Sequence, residues 1–371
     1  MISFGPTEEQ GLVREAMHSF AAEVLRPAAR AADEAEALPD AVLQQVWQLG
    51  FVATQIPEAF GGGGEARSPV TSSLVLEALA FGDAALALAA THPAAFAFAV
   101  LDHGTEEQKK QLLPLFCGER FHAASVALLE PTPVFDARAL RTTAEPKGDA
   151  FVLSGAKSFV PLADRASHFL VLARNTAATA EGVGALDAFI VPRDAAGLAI
   201  GAPGKQLGLR ALPTATLELE RVEVPAADRL GGDAGCDVQR ILDASRAGVA
   251  SLLVGLSCAV MEYAIPYAKD RRAFGEAIAQ KQAIAFMLSN MRVETDAMRW
   301  LTWKAASHLE RGLEATRAAH HARAYAAEHA MKIADDGVQV LGGHGFIREH
   351  PVELWYRHAR TLSVLEGVAS V

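Results

Sequence analysis

Cysteine is scarce in this 371-residue chain. Cys117, Cys236 and Cys258 are the only three, too few and too scattered for a disulfide framework or a zinc cluster. They read as small buried hydrophobes in a reducing compartment. Positive charge is also in deficit: 34 Lys and Arg against 44 Asp and Glu leave a formal charge of −10, which argues against broad electrostatic binding to nucleic acid. No His-x-x-x-His spacing supports a metal. His320 and His321 are adjacent, so on a helix they point about 100° apart. A Gly-x-Ser-x-Gly elbow, the mark of many serine hydrolases, is missing too. The start, Met1-Ile2-Ser3-Phe4-Gly5-Pro6, has no basic segment followed by an apolar one, so a leader is not expected and a cytoplasmic location is. Long hydrophobic runs are limited to two. Residues 84–101 are interrupted by Thr91-His92-Pro93, and residues 247–261 meet Glu262 well short of the ~20 residues that cross a bilayer. Both read as buried helices, with no membrane span.

What is present suits a large core. Apolar residues are 51% and charged residues 21%, and at roughly 150 residues per domain the length predicts two or three domains. Thr7 with Gln10 forms a capping signature ahead of Leu12, Val13, Met17, Phe20 and Val24, and Thr105 with Gln108 repeats it. A second helix opens near Pro39 and closes at Gly50, and another runs into Gly82. Gly61-Gly62-Gly63-Gly64 lacks the strand-then-helix context of a phosphate loop and reads as a flexible turn.

From about 123 the texture changes to short strands. Arg141–Glu145, Ala150–Leu153 and Ala156–Val160 are separated by Pro146–Asp149 and Ser154-Gly155 turns, and His168–Ala173, Ala188–Val191 and Leu217–Val224 follow. Strands without intervening helices predict a small barrel or sandwich. After Asp237 the helical period returns over roughly 237–268, 280–311, 314–341 and 351–361, which predicts an antiparallel bundle. The expected fold is α+β: a helical domain over 1–122, a β domain over 123–230 and a four-helix bundle over 231–371.

Chemistry-bearing features are few. Asp270-Arg271-Arg272-Ala273-Phe274-Gly275 interrupts a helix; its guanidinium groups suit a phosphate, and a solvated helix end is the plainer reading. Leu341-Gly342-Gly343-His344-Gly345 admits close backbone approach to a ligand or simply ends a helix. Glu366 stands alone in Val364-Leu365-Glu366-Gly367-Val368. A desolvated carboxylate there would make a base, and a solvent-exposed one would do nothing.

Taken in order, these pieces resemble the acyl-CoA dehydrogenases over nearly the whole chain. Thr7–Gln10, Ile56–Gly62 and Gly104–Lys109 look like the family's amino-terminal landmarks. Arg271–Gly275 with Gln282 resembles its bundle signature. Gln339-Val340-Leu341-Gly342-Gly343-His344-Gly345-Phe346, then Glu349, Pro351, Arg357 and Glu366-Gly367, match in order and spacing. The resemblance implies FAD between the β domain and the bundle, in a tetramer or dimer whose neighbouring subunit supplies part of the site. Arg271 matches the flavin-pyrophosphate arginine, Phe274 and Gln282 match positions lining the same cofactor, and Gln339, Gly342 and Gly343 match the partner's glycine-rich segment. Leu128 and Leu129 would offer backbone donors to the ring edge, with Phe159 and Val160 beside it. Glu366 matches the base that takes the α-proton of an acyl-CoA thioester while hydride leaves the β-carbon; its N–H would bond the thioester carbonyl. The base position of other branches matches Ser245, which cannot serve. Asp243, Arg246 and Gly367 match residues near the CoA and the base, and electrons would pass to an electron-transfer flavoprotein.

The chain departs from the family pattern in three places. Leu129-Glu130-Pro131-Thr132-Pro133-Val134-Phe135-Asp136 replaces a glycine- and hydroxyl-rich flavin loop, Phe159-Val160-Pro161 replaces Trp-Ile-Thr, and Val368 stands where a hydroxyl is usual. These departures set up the alternative: a catalytically weakened member acting as a partner subunit in a mixed assembly.

Overall fold

The computed structural model describes residues 5–371; the Met1–Phe4 start, read above for want of a leader, lies outside the described residues. Helices α1 (Glu8–Phe20), α2 (Arg26–Ala35), α3 (Asp40–Gln48), α4 (Pro69–Gly82), α5 (Ala84–Thr91), α6 (Pro93–His103) and α7 (Glu106–Leu112) form the first layer. Both capping boxes are made. Thr7 and Thr105 each accept the N–H of the glutamine three residues on, and each glutamine side chain returns the bond. The four-glycine segment differs from expectation. Gly62, Gly63 and Gly64 donate to Pro57 O, Ala53 O and Ile56 O, so it is a bonded turn packed onto the backbone rather than a loose one.

The middle region carries β1 (Ser125–Ala127), β2 (Thr143–Lys147), β3 (Ala150–Pro161), β4 (His168–Asn175), β5 (Leu186–Pro192), β6 (Leu198–Ile200) and β7 (Thr214–Pro225). They make one sheet in the order β1-β4-β2-β3-β7-β6, with β5 on the other edge of β4. It curls around its own core of Leu153, Phe169, Phe189, Leu217 and Val222. The sequence splits β3 at Ser154-Gly155; the structure runs through it as a register shift, and a second shift falls between Lys157 and Val160. Each extra residue bends the strand and re-aims a side chain. At the second shift Phe159 takes φ +52° and leaves the sheet's core to pack against the helices.

The bundle comprises α8 (Val238–Asp270), the hairpin of β8 (Arg272–Ala273) and β9 (Glu276–Ala277), then α9 (Gln282–Glu310), α10 (Thr316–Leu341) and α11 (Val352–Leu362). Two helical stretches are long and apolar enough to cross a membrane, Ala84–His103 and Val238–Asp270, yet 94% and 78% of their apolar windows are buried inside the protein. They are core helices: every residue from Ala84 to Val100 is buried. Phe96 and Phe98 pack on Phe116 and Phe51.

Candidate active site

After α11 the chain has no helix or strand. Glu366 therefore sits on a segment held by side chains. Its carboxylate is a quarter exposed, with Arg246 Nη2 of α8 3.4 Å away. Gly367 N–H donates to Ser245 Oγ at 3.0 Å. Ser245, which cannot act as a base, thus anchors the turn that carries Glu366. Gly367 has φ +78°, and a Cβ there would lie 2.7 Å from Leu128 Cβ, so only glycine permits this approach. No hydrogen-bond acceptor among the described residues takes the Glu366 N–H.

Asp243 backs Arg246 at 3.8 Å and receives Gln239 Nε2 at 2.7 Å and Thr316 Oγ1 at 2.8 Å. Burial holds the Asp243 carboxyl above its usual range, against the pull of Thr316, Gln239 and Arg246. Glu366, Gly367, Asp243, Arg246 and Leu128 are thereby brought together. The rest of the altered loop is tied by a buried ion pair. Lys157 Nζ donates to Glu130 Oε1 (2.9 Å) and Leu128 O (3.2 Å), and Ser158 N–H donates to Leu129 O (2.8 Å). That pair is a site feature the sequence reading missed; Glu130 in a loop and Lys157 in a strand gave no signal of meeting.

Val364, two residues before Glu366, lines an open cavity of about 380 Å³ between the sheet and α11, with Phe159, Gly204, Gln206, Thr214 and Thr361 among others. Gln206 Nε2 donates to Leu212 O and Thr214 Oγ1. Its buried Oε1 has no donor. An aromatic wall plus an unmet acceptor suits a flat ligand that carries hydrogen-bond donors. Val160 is buried behind Phe159, within the sheet's own core.

The other proposed cofactor residues lie elsewhere on the protomer. Arg271, Phe274, Gln282, Gln339, Gly342 and Gly343 are all exposed. Ser245 and Arg271 are 26 residues apart in sequence, at the two ends of α8, about 39 Å along a helix axis. Tyr267, one turn before Arg271, donates to Leu341 O at 3.4 Å and bonds His344 Nδ1 at 2.7 Å. Arg271 and the glycine segment therefore share one patch. A Cβ on Gly342 or Gly343 would meet nothing within 4 Å. The sequence reading assigned only the glycine segment to a neighbouring subunit; the geometry groups Arg271 with it. Among the described residues, no group of three or more His, Cys, Asp or Glu could hold a metal ion.

Comparison with known proteins gives a consistent picture. Family models of the acyl-CoA dehydrogenase N-terminal, middle and C-terminal domains match residues 7–120, 125–222 and 235–371. A 3-(aryl)acrylate reductase of Clostridium sporogenes is 32% identical over 98% of this chain and 96% of its own. A short-chain specific acyl-CoA dehydrogenase of Clostridium acetobutylicum is 32% identical, over 100% of this chain and 97% of its own. Among solved structures, butyryl-CoA dehydrogenase of Megasphaera elsdenii superposes with a TM-score of 0.88 at 27% identity, covering 100% of this chain and 96% of that one.

Proposed function

Because the chain belongs to the acyl-CoA dehydrogenase family and is an FAD-dependent oxidoreductase of that kind, we propose that it desaturates an acyl-CoA at the α,β bond with Glu366 as the base. The observation that carries this is the position of the Glu366 carboxylate, opposite Arg246 on a turn whose Gly367 packs on Leu128, two residues after Val364, which walls a cavity together with Phe159.

The cavity fits the isoalloxazine. Phe159 would cover the ring, with less area than a tryptophan, and the free Gln206 Oε1 would accept from the ring edge or the ribityl hydroxyls. When bound, FAD supplies the hydride acceptor for the substrate β-carbon. Glu366 takes the α-proton, and its free N–H is placed to donate to the thioester oxygen as charge gathers there. Arg246 holds the carboxylate toward the cleft until a substrate enters. Arg271, with the Gly342-Gly343 segment, would hold the FAD of a second copy, its fork suiting the pyrophosphate. This makes the working unit a homo-oligomer, dimer or tetramer. Electrons pass to an electron-transfer flavoprotein, and the setting is cytoplasmic fatty-acid metabolism.

Anaerobic addition of saturated acyl-CoAs to the yellow protein should bleach the flavin band. Glu366→Gln should abolish bleaching with FAD still bound; unchanged bleaching would remove Glu366 from its role. One observation favours a second reading, a weakened member within a mixed assembly. Pro161 has no N–H to give, and the 129–136 loop keeps Thr132 as its one hydroxyl, which donates to Val134 O. Colourless protein that FAD cannot reconstitute would decide for it.

A further inference from the structure

We propose that His92 and Arg323 are positioning residues that grip the backbone on either side of Glu366 and so set the aim of its carboxylate. The proposal rests on the reading of Glu366 as the base.

Upstream of Glu366, Arg323 reaches across from α10. Its Nη2 donates to Leu362 O at 3.2 Å, Ser363 O at 2.9 Å and Leu365 O at 2.8 Å. These carbonyls lie at and just past the end of α11; Leu362 O also takes the Leu365 N–H at 3.2 Å, while no backbone donor among the described residues meets Ser363 O or Leu365 O. Downstream, His92 at the α5–α6 junction places Nδ1 2.6 Å from Val368 O. A carbonyl only accepts, so Nδ1 carries the proton. Nε2 must then accept, and it meets Ser125 Oγ at 2.7 Å and Val126 N–H at 3.4 Å. Full burial, only partly offset by the Val368 bond, pushes the His92 pKa down to about 4, so the neutral ring keeps this tautomer at working pH.

Between the two grips lie only Glu366 and Gly367, and the Gly367 N–H is already on Ser245. With no helix or strand beyond Leu362, these side chains stand in for a ladder. The arrangement is costly unless it positions something: Arg323 is a buried cation that faces Arg246 as well as Glu366. Misplacing a reacting group by about 1 Å can cost on the order of 100-fold in rate.

The test reads proton abstraction separately from hydride transfer. A 3-thiaoctanoyl-CoA keeps its α-protons but has sulfur in place of the β-carbon, so no hydride can leave. Deuterium uptake at its α-carbon in D2O is followed by mass spectrometry on FAD-loaded protein, with FAD content and melting temperature measured in parallel. Glu366→Gln should reduce uptake to background; uptake at the parent rate overturns the base assignment, and with it the clamp. If Glu366→Gln behaves as expected, His92→Gln and Arg323→Lys should lower uptake about 10- to 100-fold at unchanged FAD content. His92→Asn, whose amide can donate to Val368 O from the Nδ1 position, should stay within about threefold. Folded, FAD-loaded His92→Gln and Arg323→Lys that exchange at the parent rate overturn the clamp. So does His92→Gln outperforming His92→Asn. Should His92→Gln or Arg323→Lys fail to load FAD, Ser125→Ala decides: a severalfold loss supports the clamp, and an unchanged rate overturns it.

Discussion

His92 shows how one buried side chain can set an acid limit. Its pKa in the folded protein is about 4, below the ~6.5 of an unfolded histidine. Between those values the unfolded chain binds the extra proton and the folded chain does not. The stability it confers is therefore complete above about pH 6.5 and is lost as pH falls toward 4, by about 3 kcal/mol in all. His92→Asn should remove that part of the acid sensitivity, so urea midpoints of parent and variant should converge between pH 7 and pH 4. Lys157 is a second buried titrating group, with its pH window on the alkaline side. It is wholly buried against Glu130, and burial outweighs that partner to bring its pKa down to about 8. Burial alone would raise the Glu130 pKa; Lys157 and the N–H groups of Arg141 and Thr142 hold it down instead. Lys157→Met leaves that carboxylate uncompensated and should cost about 3–5 kcal/mol. The double variant with Glu130→Gln should recover part of the loss in the same denaturation series.

At the scale of the element, β3 does the positioning through its two irregularities. The first is centred on Gly155, at φ +146°, where a Cβ would lie 2.7 Å from Thr142 Cα and 2.8 Å from its hydroxyl. Thr142 is fixed by its N–H on Glu130 Oε1. Gly155→Ala should therefore destabilise by about 1–3 kcal/mol. Its thermal midpoint should fall more than that of Gly148→Ala, a turn position also at positive φ but with nothing within 4 Å of a Cβ. The second irregularity turns Phe159 toward the cavity. A regular strand would return that ring to the sheet's interior, and the cavity would lose its aromatic wall.

On the proposed function the whole molecule has two half-sites at opposite ends of α8, and this predicts complementation. On that proposal Glu366→Gln disables the half that holds the base, and Arg271→Ala disables the half offered to a neighbour. Each variant alone should be inactive or weak. Hybrids made by unfolding and refolding them together should regain activity, since one interface then carries both intact halves; no recovery in verified hybrids would argue that each copy works alone. The surface proposed for that second copy is apolar. Phe286, Val293 and Trp300 recur every seven residues on α9 at 60%, 63% and 49% exposure, and Phe274 and Phe346 are exposed at 95% and 73%. Apolar surface on this scale is seldom left to solvent.

Much of this was legible along the chain. Capping boxes, glycine stops and the return of the helical period placed the long helices within a few residues, because those signals act over one or two turns. Glu366 and Arg271 stand out by residue type and setting, whereas Arg246 is reached only through the family resemblance. Other features depend on contacts between distant segments. Ser154-Gly155 reads as a turn locally, yet pairing with β7 carries the strand through it. His92 looked like an interruption in an apolar run, and only the return of residue 368 to the α5–α6 junction makes it a hydrogen-bond donor to the turn carrying Glu366. The Lys157–Glu130 pair spans 27 residues, and the distance between Arg271 and Glu366 follows from the length of α8. Local pattern determined which elements form and which residues could do chemistry. Packing decided which of them meet, because a side chain's partner is set by the fold's long-range closure and not by its neighbours in sequence.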